Sequence, residues 1–150
     1  MVSFLITFLL LNLVLAFYNV GTIWAMEIDI FRSWKLIGKN EFHRVQTVHW
    51  KKLPYWIFAP VGLALIGSII LIWYHPVGSP VWAIYSTFGF QFLSLILTAL
   101  FWGPWQAKLS KDKRGPQSPY LYKFLRTHWL RTALINAYAI TLLIWTIIIL

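Results

Sequence analysis

Leu53 to Tyr74 reads LPYWIFAPVGLALIGSIILIWY, without one formal charge, and the length of that run decides the fold. A bilayer core of about 30 Å takes about 20 apolar residues in a helix, so this segment is sized to cross it once. Working outward, Val2 to Met26, Pro76 to Ala107 and Thr132 to Leu150 are equally free of Asp, Glu, Lys and Arg. Hydrocarbon offers backbone amides no partner, so each crossing has to be a helix that satisfies its own hydrogen bonds. The expectation is an all-α membrane protein: four transmembrane helices in one bundle, with spans near 2–26, 54–74, 80–106 and 128–150 in a single domain over 1–150.

Composition narrows the chemistry. Of 150 residues, 59% are hydrophobic, 19% aromatic and only 11% charged, which leaves no room for a sizeable soluble domain. Cysteine is absent, so a disulfide framework, a thiolate metal site and a cysteine nucleophile are all excluded. Thirteen Lys and Arg against four acids give a net charge of +9. Their placement points to lipid rather than nucleic acid: Arg32, Lys35, Lys39, Arg44, Lys51 and Lys52 lie between the first two spans, and Lys108, Lys111, Lys113, Arg114, Lys123 and Arg126 between the last two. Short cation-rich loops stay inside, so the loops 27–53 and 107–127 are expected in the cytoplasm and both termini outside. Those cations would also attract anionic headgroups. The amino terminus reads as an anchor rather than a cleaved signal, because no Lys or Arg precedes its apolar run and Ala16-Phe17-Tyr18 makes a poor cleavage site.

Between the spans, Asn40 to Lys52 is expected to form a cytoplasmic surface helix, with Asn40 as its cap. At about 100° per residue, Phe42, Val45 and His49 share one face, and His43, Gln46 and Trp50 the adjoining one. Pro54 then suits the first turn of the second span, and Pro60 is a candidate kink. Ala64 and Ser68 offer a small-residue contact to a neighbouring helix. Gly78-Ser79-Pro80 makes a tight outer turn, so the second and third spans must be antiparallel neighbours. The loop Ser110 to Pro119, charged and rich in Gly and Pro, is expected to be the most mobile region. Trp56, Trp73, Trp82, Trp102, Trp105 and Trp129 fall near span ends, where indoles favour the interface.

Function has to be read from the polar exceptions. Thr87, Gln91, Ser94, Thr98, Trp102 and Trp105 project within a stripe about 80° wide on the third span. Asn12 and Asn19 on the first span and Asn136 on the fourth can answer it, either as interhelical hydrogen bonds or as the wall of a polar cavity. On the fourth span His128, Arg131, Thr132 and Ile135 share a face. With Trp102, Trp105 and the His43, Gln46, Trp50 face at the same depth, a basic and aromatic pocket is expected there, although an Arg at a span end also commonly snorkels to phosphate. A metal site is not expected: His43 and His49 lie about 120° apart around their helix, and no HExxH or ExxH pattern occurs. No cofactor is read from the sequence.

Three segments carry a family resemblance: Ser33-Trp34-Lys35-Leu36-Ile37-Gly38 through Glu41-Phe42-His43, Trp102-Gly103-Pro104-Trp105-Gln106-Ala107-Lys108-Leu109, and Thr127-His128-Trp129-Leu130-Arg131-Thr132. In these the chain resembles the anthrone oxygenase-like family of small four-helix bacterial integral-membrane proteins, which implies a multi-pass protein of the bacterial inner membrane. Some members resemble cofactor-independent oxygenases that convert an anthrone to an anthraquinone. Such a reaction needs a base, a cation and a flat aromatic pocket. His43 would take the proton, Arg131 would stabilise the oxyanion, and Trp50, Trp102 and Trp105 would stack on the rings. Gln91 would orient a carbonyl, with Gln46 and His128 completing the pocket. The rival reading is a non-catalytic accessory subunit that packs against partner helices of a larger membrane complex and holds lipid, quinone or pigment. A transporter fits less well, since no span carries an ionisable residue at mid-membrane and no inverted repeat occurs.

Overall fold

A computed structural model describes residues 2–150 and contains no strand among them. Four rods make the body: α1 (Phe4–Leu36), α2 (Lys39–Trp73), α3 (Val81–Leu109) and α4 (Pro119–Ile149), each long and apolar enough to cross a membrane. Every rod packs against the one before it, and α4 closes the ring onto α1. Half of the apolar window of α4 is buried, against 22–28% for the other three, so α4 is the element around which the bundle is built.

All four rods overrun the spans expected from charge alone, and always at the end that carries the basic loops. The helix expected over Asn40 to Lys52 is present, but it continues without a break into the second span to form one 35-residue rod. Pro54 does not end it. Instead the rod widens into a π-helical turn at Pro54–Phe58, and α3 does the same at Thr98–Trp102. The prolines that follow explain both. Pro60 and Pro104 have no N–H for the carbonyls of Trp56 and Leu100, and a wide turn makes room for their rings. The freed Trp56 carbonyl accepts a hydrogen bond from the Tyr18 hydroxyl of α1 at 3.2 Å. A third π turn, Met26–Ile30, carries α1 onward through residues whose charges had suggested a loop.

Two cores result. At the end carrying the termini, Ala16, Ala64, Ala83 and Ala139 let the backbones approach while Leu71, Tyr138, Leu142 and Trp145 fill the space between. Gly67 belongs to this fit: a Cβ there would run into Oδ1 of Asn12. At the basic end the core is aromatic, built on Phe31, Trp34, Phe42, Trp102 and Phe124. Large apolar side chains such as Leu11, Val14, Leu63, Leu100, Ile140 and Ile147 face outward, as a lipid-facing surface requires.

The connections are short. Gly78 takes a positive φ of 84° in the turn between α2 and α3, where Trp145 of α4 donates to the Ser79 hydroxyl at 3.0 Å. In the basic loop, Asp112 accepts from Arg114 and from the Ser118 hydroxyl. Gly115, at φ 60°, passes so close to α2 that a Cβ would meet Lys39 and Phe42 at 3.4 Å.

Candidate functional site

Where the two cores meet, a layer of buried polar groups crosses the bundle. The continuation of α1 through its π turn brings Glu27 inside, and His128 of α4 meets it: Nδ1 lies 2.8 Å from Oε2, and neither side chain is exposed. The imidazole therefore carries a proton on Nδ1 and donates it to the carboxylate. The other carboxylate oxygen accepts from Arg32, whose side chain reaches solvent. Phe31, Phe124 and Trp102 close around the imidazole at ring distances of 4.7, 4.9 and 5.8 Å, leaving Nε2 without a partner.

One turn further along α4 stands Arg131. Twelve of the thirteen cations gather at the basic end; this one is inside the bundle and 7% exposed. Among the described residues no carboxylate pairs with it, because the buried acid is engaged by His128 and Arg32, and its Nε has no hydrogen-bond partner. It lines a cavity of about 170 Å³ between α2, α3 and α4. Gln91, Ser94 and Thr98 line the same space from α3, while Phe58, Val61, Gly62 and Leu65 make the α2 wall apolar. The arrangement offers one guanidinium and one amide to a ligand oxygen, in a setting that is otherwise greasy.

The remaining candidates divide. Trp102 is buried and donates from Nε1 to the Thr127 hydroxyl at 3.0 Å. With the half-buried Trp105 it lines a separate, shallower cleft of about 240 Å³. Gln46 is buried with neither end of its amide paired, and Trp50 is half-buried with its indole N–H unpaired; neither lines the Arg131 cavity. His43 is exposed, and its Nδ1 lies 2.7 Å from the Ser110 carbonyl at the loop. At 1.5 Å per residue, His43 is about 22 Å along α2 from Phe58, where the cavity begins, so His43 and Arg131 are not brought together. The buried stripe of this part of α2 runs Phe42, Gln46, His49, Leu53, which turns His49 inward and His43 out. Among the described residues no three His, Asp or Glu side chains gather as a metal site requires.

Glu27 is the site residue that sequence reasoning missed. Its signal was an acid at the end of an apolar run, five residues before Arg32. It was masked because Glu27, Asp29, Arg32 and Lys35 together read as a polar exit from the membrane.

No protein-family model matches the chain, and no solved structure does. Over 96 residues it is 26% identical to oligopeptide transporter 2 of Saccharomyces cerevisiae (strain ATCC 204508 / S288c), an alignment that takes in 55% of this chain and 11% of that protein. The chain thus spans about a tenth of the length of the curated relative it matches. Fold and composition define the class: a multi-pass, all-α membrane protein of four helices.

Proposed function

We propose that this protein binds an apolar, aromatic or quinone-like molecule drawn from the bilayer and holds its oxygen head at Arg131. The observation that carries the reading is a buried guanidinium, without a carboxylate partner, lining a cavity whose other walls are mostly apolar. Intramembrane cations pair with something, and here the partner has to come from outside the chain. Size limits the ligand. A cavity of about 150 Å³ is enough for benzene, so about 170 Å³ takes one ring and its oxygen, with the rest of the molecule lying along α2 and α3.

Holding such a molecule without turning it over, as an accessory subunit would, is favoured over oxygenase chemistry of the anthrone oxygenase-like kind. An oxyanion could be stabilised by Arg131. A base is what the cavity lacks: His128 is closed in by Glu27 and three rings, and His43 is a long way along α2. The basic end is assigned to the cytoplasm of a bacterial inner membrane. The support is the twelve cations there, their absence from the link 75–80 and the family resemblance.

The test is binding of a single-ring benzoquinone carrying an alkyl tail to the purified protein, read by quenching of its ten tryptophans. Arg131→Met removes a charge-assisted hydrogen bond of about 1.5–3 kcal/mol and should weaken binding roughly 10- to 100-fold. Gly62→Phe should fill the cavity that Gly62 lines, since a Cβ there meets nothing within 4 Å. Unchanged affinity in both variants overturns the proposal.

A further inference from the structure

A second groove, of about 310 Å³, lies between α1 and α2 at the basic end and shares no lining residue with the Arg131 cavity. Asp29 and Ser33 line it from α1 and Lys52 from α2, with Trp34 and Trp56 as aromatic walls and His49 beside them. Ser33 is engaged, its hydroxyl donating to the Ile30 carbonyl at 2.9 Å, but the other polar groups are idle. His49 is 9% exposed and its Nε2 has no partner, and the buried Trp56 indole N–H has none either. Asp29 and Lys52 flank the same groove, yet they do not bridge each other and neither appears among the ion pairs of the described residues.

An acid and an ammonium that face one cavity without joining are complementary to a molecule carrying both charges at short range. Two indoles beside the acid suit an ammonium, whose charge is attracted to aromatic faces. An ammonium from Lys52 and the N–H of Trp56 suit a phosphate. Lys52 is the last cation before the apolar run of α2, and Asp29 follows the apolar run of α1, so the groove sits at headgroup depth. We infer that it binds a zwitterionic aminoalkyl phosphate, as presented by phosphatidylethanolamine in the leaflet at this end.

The experiment uses delipidated protein in detergent. Phosphatidylethanolamine and phosphatidylglycerol with identical acyl chains are offered in competition, and the bound lipid is read by native mass spectrometry. Wild type should retain the ethanolamine lipid at least fivefold over the glycerol lipid. Asp29→Asn should abolish that preference, and Lys52→Met should reduce binding of both lipids. Both positions are exposed, so the fold is retained. Lys113→Met, a cation of the same end outside the groove, should leave the ratio unchanged. Displacement by free O-phosphoethanolamine supports the same head chemistry from a soluble source, and resistance to it with the preference intact supports the lipid. Equal retention of the two lipids by wild type, or a preference that survives Asp29→Asn, overturns the inference.

Discussion

His128 Nδ1 stands 2.8 Å from Glu27 Oε2, and the two residues, 101 positions apart in sequence, tie α4 to α1 with no exposed surface on either side chain. A buried pair is costly to break from one side, because the survivor keeps its desolvation penalty and loses its partner. Glu27→Ala and His128→Ala should each destabilise the protein by about 3–5 kcal/mol, and the double replacement Glu27→Leu with His128→Phe should recover much of that. Thermal unfolding in detergent checks this; additive losses in the pair would show that the two side chains do not act together.

Gly67 and Asn12 provide a second test, this time of packing. Gly67→Ala places a methyl group against the Asn12 amide, whose Nδ2 is held by the Phe8 carbonyl at 2.9 Å. Overpacking of this kind costs about 1–3 kcal/mol. Asn12→Ala should restore most of the loss in a double variant, measured by the same melt, and a melt that is no better than that of Gly67→Ala alone would contradict the contact.

The loop between α3 and α4 should respond to acid only late. Arg114 first, then the Ser118 hydroxyl, holds the Asp112 carboxyl well below its ordinary value of 3.8. A depressed carboxyl contributes fully at every pH above its ordinary value and loses that contribution as pH falls through the lower, folded one. The amide signal of Gly115 should therefore stay flat from neutral pH down to about 3.8 and move only below it. Asp112→Asn should speed tryptic cleavage after Lys111, Lys113 and Arg114 at pH 8 by roughly two- to fivefold, the scale of a screened surface pair.

Orientation can be read without background, since the chain has no cysteine. An impermeant maleimide added to intact cells should label Val77→Cys, in the turn between α2 and α3, and spare Lys111→Cys in the basic loop. The reverse pattern would place the cations outside, against their usual distribution.

The crossings were legible because lack of charge over about 20 residues has few other meanings. Helix ends were not, since Glu27 and Asp29 look like a loop until it is known that Glu27 has a buried partner in His128. The polar stripe of α3 was also legible, and Thr87, Gln91 and Ser94 are buried. Periodicity placed Gln46 and His43 on one face of α2, but the packed stripe runs through Phe42, Gln46 and His49. An amphipathic pattern of mixed His, Gln and Trp does not say which edge turns inward. Nor could single residues announce a cavity: the one at Arg131 has Gly62 in its wall, and Arg131 lacks a carboxylate because Glu27 pairs with His128 and Arg32.

The length of the rods has a mechanical consequence. At 29 to 35 residues they measure about 44 to 52 Å, against a hydrocarbon layer of about 30 Å, so the part of the aromatic core farthest from the termini stands beyond the hydrocarbon. One molecule is thereby stabilised in two solvents: Phe31, Trp34 and Phe124 are driven together by hydration, whereas Ala16, Ala64 and Ala139 are held by close fit in oil. Urea and cold, which weaken the first force, should melt the protruding third while the remainder stays helical in the bilayer.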